Sequence, residues 1–161
     1  MRPPVDYLER TRALYDSLGY PTYRWVHSET PPPWAPVEKP LADCRVGLIG
    51  SGGVYVEGQI AFHHRDDLSF RVIDRDTPRD ALRATHFAYD LTDAREDPNV
   101  VFPLETLRAL EAEGTIGELS PNAYAFMGGI YSSRQVVEHL APALADRVQA
   151  DAVDVVLLVP V

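Results

Sequence analysis

A chain of 161 residues with 45% hydrophobic and 24% charged residues has the size and make-up of one globular domain, long enough to bury a core without disulfides. Its formal charge of −9 at pH 7 comes with one lysine, Lys39, and arginines spread without a basic cluster, which disfavours phosphate backbones and excludes nucleic acid as an expected partner. No apolar run approaches the roughly 20 residues that span a bilayer. The start, Met-Arg-Pro-Pro-Val-Asp-Tyr, places no apolar segment ahead of a cleavage site, so a cytoplasmic address without membrane contact is expected.

Val5, Leu8, Tyr15 and Leu18 recur at helical spacing, and Gly19 and Pro21 stop the pattern, which predicts an N-terminal helix within 1–20. From 21 to 43 a proline-rich stretch, with Trp25 and Trp34 among its prolines, cannot be regular helix or central strand and reads as an extended arm. Its indoles should pack against this domain or a second copy, the latter making a homodimer through the arm. Residues 44–161 form the α/β domain.

Cys44 to Ile49 is an apolar run closed by Gly50-Ser51-Gly52-Gly53, the pattern of a buried strand entering a glycine loop. Phe70 to Ile73 is a second strand. Thr77 as cap and Pro78 at the first helical position predict a turn or two of helix before His86. Pro103 to Glu113 predicts a helix with Leu104, Leu107 and Leu110 on one face. Asn122 to Met127 is a strand, Ser132 with Gln135 three residues on is a capping box, and Pro142 should kink or restart the helix that follows. Val153 to Val159 reads as a strand buried on both faces of a parallel sheet. Strands alternating with helices give the fold class: α/β, a layered parallel sheet of Rossmann-like or flavodoxin-like kind in one domain, with a proline-rich arm.

In such sheets, ligands bind beyond the carboxyl ends of the strands. Ser51, Gly52 and Gly53 lie at such an end, yet they lack a P-loop's lysine and depart from Gly-x-Gly-x-x-Gly, so a tight turn competes with a ligand loop. His86, Tyr89, Asp97 and Asn99 concentrate polar groups in an otherwise aromatic stretch. His86 is the candidate catalytic residue, because a neutral imidazole both donates and accepts. Tyr89, Asp97 and Asn99 are candidates for substrate or partner binding, with Asx turns as the alternative for the last two. His63 and His64 point apart on an extended chain, so no metal is assigned, and no cofactor is implied. Cys44 is the lone cysteine, which rules out an internal disulfide or dithiol. At the amino end of its strand it reads as a small buried hydrophobe.

Taken in order, Trp34-Ala35-Pro36 with Lys39-Pro40-Leu41, Ser51 to Val54, Ser69 to Ile73, His86 to Asp90, Asp97 to Pro103 and Phe126-Met127-Gly128 resemble the selenoprotein B subunit of glycine, sarcosine and betaine reductase, with the related D-proline reductase subunit. The resemblance runs from about Trp34 to Val161. It implies reductive cleavage of a C–N bond alpha to a carboxylate, with other subunits of a reductase complex as partners. In that family a selenocysteine or cysteine anion attacks the alpha carbon. Its position falls just after the strand that ends at Val161, so the chain alone is expected to be inactive. Two other readings stay open: a noncatalytic assembly subunit that binds through the arm and the sheet edge, and a small-ligand-binding α/β module using the glycine loop.

Overall fold

The computed structural model describes residues 6–22 and 27–161, and the chain divides into two compact units, 1–34 and 35–161. In the first unit α1 spans Tyr7–Ser17, and Asp6 caps it by accepting from the Glu9 N–H at 3.1 Å. Residues 27–40 contain no helix or strand. Trp34 is 85% exposed, so the burial expected of an indole is not made there within one chain; Trp25 lies outside the described residues.

The second unit is built on β1, Arg45–Gly50, which is buried along nearly all its length. On one side it pairs in parallel with β7, Val155–Val159, over five positions from Val46↔Val155 to Gly50↔Val159. On the other side it pairs in parallel with β5, Glu118–Leu119, and β6, Asn122–Phe126, two pieces of one strand interrupted at Ser120 and Pro121. The edge strand β3, Phe70–Asp74, runs antiparallel to β6, so the sheet is mostly parallel rather than wholly so. A small antiparallel pair, β2 (Val54–Val56) with β4 (Leu82–Ala84), forms a second sheet.

Alternation along β1 sends neighbouring side chains to opposite faces. Val46 and Leu48 enter a core with Ile73, Phe102, Leu104, Leu107 and Leu119, which brings α3, Leu104–Ala112, onto that face, along with Ala94 of the short α2, Thr92–Glu96. Ile49 enters a second core with Tyr124, Leu140 and Leu144 under α5, Ala141–Ala150. Fully burying each such leucine contributes about 2 kcal/mol.

The local expectations at β1, β6, α3 and the Ser132 cap agree with these elements. Ser132 accepts from the Gln135 N–H at the start of α4, Ser133–Gln135. Pro142 restarts the helix as expected, through a wide π turn at Val136–Leu140 that leads into α5.

Two expectations are corrected. No helix follows Thr77 and Pro78: Arg79–Ala81 makes one 3₁₀ turn and the chain enters β4. Pairing with β2 buries Leu82 and Ala84, and this tertiary gain overrides the local helix-start signal. The final strand is not buried on both faces either. Among the described residues β7 pairs only with β1, and as an outer strand it leaves Leu158 66% exposed.

Candidate functional site at the glycine turn

The turn after β1 is knitted into its surroundings by its own backbone. The Ser51 N–H donates to the Val159 carbonyl at 3.0 Å, the Gly53 N–H to the Phe126 carbonyl at 2.9 Å, and the Gly53 carbonyl accepts from the Thr85 N–H at 2.9 Å. The Ser51 hydroxyl accepts from the Val161 N–H at 2.9 Å. These donors are therefore spent on protein carbonyls rather than pointed at a ligand, and a strand, β2, follows where a phosphate loop would open a helix. Gly53 has φ +69°, and a Cβ there would lie 1.9 Å from the Thr85 carbonyl oxygen; only glycine fits.

That close approach brings the segment after β4 onto the turn. His86 follows Thr85 and is buried at 6% exposure. Its Nδ1 accepts from the Ala88 N–H at 3.0 Å, and its ring packs against Tyr89 with centroids 4.7 Å apart. The Tyr89 hydroxyl donates to the Gly52 carbonyl at 2.8 Å. Burial lowers the basicity of His86 and raises the phenol of Tyr89 above its ordinary value, so both rings are neutral near pH 7. Ser51, Gly52, Gly53, His86 and Tyr89 thus come together at the carboxyl end of β1.

Asp97 and Asn99 stand apart from that group. Asp97 accepts from both the Asn99 N–H and its side-chain amide, which holds the Asp97 carboxyl below the usual carboxylate range. Asn99 in turn accepts from the Glu105 N–H at 3.2 Å and serves the amino end of α3. The residues of this segment that meet the glycine turn are Val101 and Phe102, which pack against Gly52 and Gly50. Sequence reasoning missed them, because nothing local marks an apolar residue as the neighbour of a distant glycine.

A second polar group also went unread. The Asp151 carboxylate, at the end of α5, accepts from the Tyr124 hydroxyl at 2.5 Å, the Asn122 amide at 3.1 Å and the Ser120 hydroxyl at 3.3 Å. Burial, then the Asp151 hydrogen bond and charge, push the Tyr124 phenol far up. Polar residues at 120, 122 and 124 alternate on one strand face, and that period was the available signal for a shared partner.

Cys44 is fully buried just before β1, its thiol donating to the Pro40 carbonyl at 3.3 Å. Beside it a cavity of about 470 Å³ is lined by Lys39, Arg45, Glu118 and Asp154, whose charges are already paired, Lys39 with Asp154 at 2.7 Å and Arg45 with Glu118 at 2.8 Å. An apolar groove of about 390 Å³ runs between α5 and β7, lined by Leu144, Val148, Val156 and Leu158 among others. Among the described residues no group of three or more His, Cys, Asp or Glu is placed to hold a metal ion, and no helix is long and apolar enough to cross a membrane.

The family described as glycine/sarcosine/betaine reductase selenoprotein B matches residues 22–161. The chain is similar to D-proline reductase subunit gamma of Acetoanaerobium sticklandii, with 38% identity over 130 residues that cover 80% of this chain and 54% of that one. It is similar also to glycine reductase complex component B subunit gamma of Carboxydothermus hydrogenoformans, at 30% identity over 76% of this chain and 29% of that one. Sarcosine reductase complex component B subunit beta of Peptoclostridium acidaminophilum matches at 27% identity, again over 76% of this chain and 29% of the relative. The chain therefore spans about half the length of the first relative and under a third of the other two. No solved structure matches.

Proposed function

The chain belongs to the glycine/sarcosine/betaine reductase selenoprotein B family, and from that membership we propose that it serves as a subunit domain of a cytoplasmic reductase complex cleaving a C–N bond alpha to a carboxylate. The observation that carries this reading is the 38% identity over 130 residues to a D-proline reductase subunit. Glycine, sarcosine, betaine and D-proline are the substrates to test, and other reductase subunits are the partners. The sheet in this reading is Rossmann-like or flavodoxin-like, which the crossover from β6 through α5 to β7 supports.

Such a cleavage needs a nucleophilic chalcogen and two electrons. Cys44 is a poor candidate: it is shut off from solvent, and its thiol is engaged with a backbone carbonyl. The nucleophile is therefore supplied from outside these 161 residues, and the chain is inactive by itself. His86, Tyr89 and the turn Ser51–Gly53 form the part of the substrate or partner pocket that this chain contributes. Asp97 and Asn99 support it through the amino end of α3.

A second reading, a noncatalytic assembly subunit, is favoured by one feature: among the described residues β7 pairs only with β1, and its Leu157 and Leu158 are exposed. One experiment separates the two. The purified chain is given dithiothreitol with each of the four substrates, with and without candidate partner subunits, and amine release or ring opening is measured. The catalytic-complex reading expects turnover only in the mixture, with a rate that depends on this chain. The assembly reading expects co-purification without rate dependence. Turnover by the chain alone, abolished by Cys44→Ser, would overturn the role given to Cys44.

A further inference from the structure

We propose that His86 is the hydrogen-bond donor of a binding site for a small carboxylate at the glycine turn, its Nε2–H reserved for a carboxylate oxygen and Arg95 supplying the opposing charge. The identity of that carboxylate, an α-amino acid or N-methylated glycine, rests on the reductase reading above.

The ring's protonation follows from its partners. Nδ1 accepts from the Ala88 N–H, so in the neutral ring the proton sits on Nε2. Nε2 is buried and has no hydrogen-bond partner, the one side-chain nitrogen or oxygen in that condition among the described residues. Leaving such a donor without an acceptor costs about 1–3 kcal/mol. The fold gains little in return, since a phenylalanine would pack against Tyr89 equally well and an asparagine would accept from Ala88. A donor retained at this cost and fixed by a second bond fits a group awaiting an acceptor.

The surroundings say what kind of acceptor. Arg95 is exposed and takes part in none of the ion pairs among the described residues, and its positive charge reaches both the Tyr89 phenol and the Asp90 carboxyl. The Asp90 carboxylate is occupied by the Thr92 N–H at 2.9 Å and the Thr92 hydroxyl at 2.7 Å. Arg95 is thus a cation beside Tyr89 and Asp90 that is left for an incoming anion. The cover over the imidazole is short: residues 87–89 are bends without helix or strand, and Phe87 is 58% exposed. Phe87 is the part of that bend free to move, since Tyr89 packs against the first core and stays bonded to the Gly52 carbonyl.

The test follows the His86 imidazole by ¹⁵N–¹H NMR in the full chain. Glycine, sarcosine and D-proline are titrated, with propionate as a carboxylate lacking the amine and prolinamide as an amine lacking the carboxylate. The free protein should show the Nε2–H form, and every carboxylate but not prolinamide should shift it. His86→Phe, folded and melting no lower than the parent, should bind about tenfold more weakly or worse, since it removes a hydrogen bond to a charged group. His86→Gln, which keeps a donor near the Nε2 position, should stay within about threefold of the parent. Arg95→Gln should weaken binding about threefold. Undiminished binding by His86→Phe, a resonance that no probe moves up to about 50 mM, or one that moves only on adding a partner subunit overturns the site. Pull-down of partner subunits by the same variants is read separately. Retained pull-down without a ligand response discards the His86 site alone, whereas absent pull-down by the parent discards the subunit reading.

Discussion

The Tyr89 hydroxyl donates to the Gly52 carbonyl across 37 residues of chain, closing the loop after β4 onto the turn after β1. Both partners belong to the group that holds His86, so this bond fixes the position of the imidazole as well as contributing to stability. Tyr89→Phe keeps the ring contact and removes only the hydroxyl. The expected loss is about 1 kcal/mol in urea unfolding at unchanged m-value. A loss of several kcal/mol would mean that the turn itself comes apart.

Two glycines with positive φ separate backbone strain from crowding. Gly58 has φ +92° with nothing within 4 Å of a Cβ, whereas at Gly53 the added carbon would lie 1.9 Å from Thr85. Gly58→Ala should cost about 1–2 kcal/mol, the strain of a left-handed residue. Gly53→Ala should cost several kcal/mol more or yield insoluble protein, because two backbone segments must part. Similar melting temperatures for the two variants would show that the β1 turn and the β4 segment are not in contact.

The Asp151 network gives a coupling energy. Asp151→Ala strands the Tyr124 hydroxyl and the Asn122 amide in the second core, and should cost about 3 kcal/mol. Tyr124→Phe should cost about 1 kcal/mol alone and, by removing a stranded hydroxyl, cost nothing or gain up to about 1 kcal/mol in the Asp151→Ala background, giving a coupling of about 1–2 kcal/mol in a double-mutant cycle. Strict additivity would remove Asp151 from the account of how α5 is anchored.

His86 gives a pH dependence whose sign is fixed by burial. Burial lowers its folded-state pKa below the ordinary 6.5. As pH falls through about 6.5 the unfolded chain gains a proton at this position before the folded chain does, so the stability present above that pH is lost below it. The parent's melting temperature should therefore fall more steeply than that of His86→Phe between about pH 7 and about pH 5. The comparison cancels the other histidines. Equal slopes would place the imidazole in contact with water.

The strands β1, β6 and β7 and the helix α3 were legible because each carries its own signal, an apolar run or a leucine stripe ended by glycine or opened by proline. The antiparallel direction of β3 has no local signal, since Phe70 to Asp74 reads the same whichever way its neighbour runs. Three-residue β4 is a strand only because β2 lies beside it, and the Thr77-Pro78 start signal pointed elsewhere. The polar cluster at His86 was visible as composition. Its partners were not, because Tyr89 meets Gly52, and Thr85 meets Gly53, through contacts between distant parts of the chain.

The wide turn at Val136–Leu140 has a bearing on how this chain can change by descent. Helices absorb single-residue insertions as π turns, and a later deletion ordinarily restores the regular spiral. Here Pro142 stands two residues past the end of that turn, without an N–H and with a ring that would collide with the carbonyl four residues earlier in a regular α-helix. Removing one residue from 136–140 would tighten the spiral against the proline and swing α4 by about 100° relative to α5. Replacing the proline alone would release the turn to close and unseat Leu140 from the core beneath it. Insertion and proline therefore behave as a ratchet, two changes that each block reversal of the other, and lineages carrying this chain should keep both or lose both together.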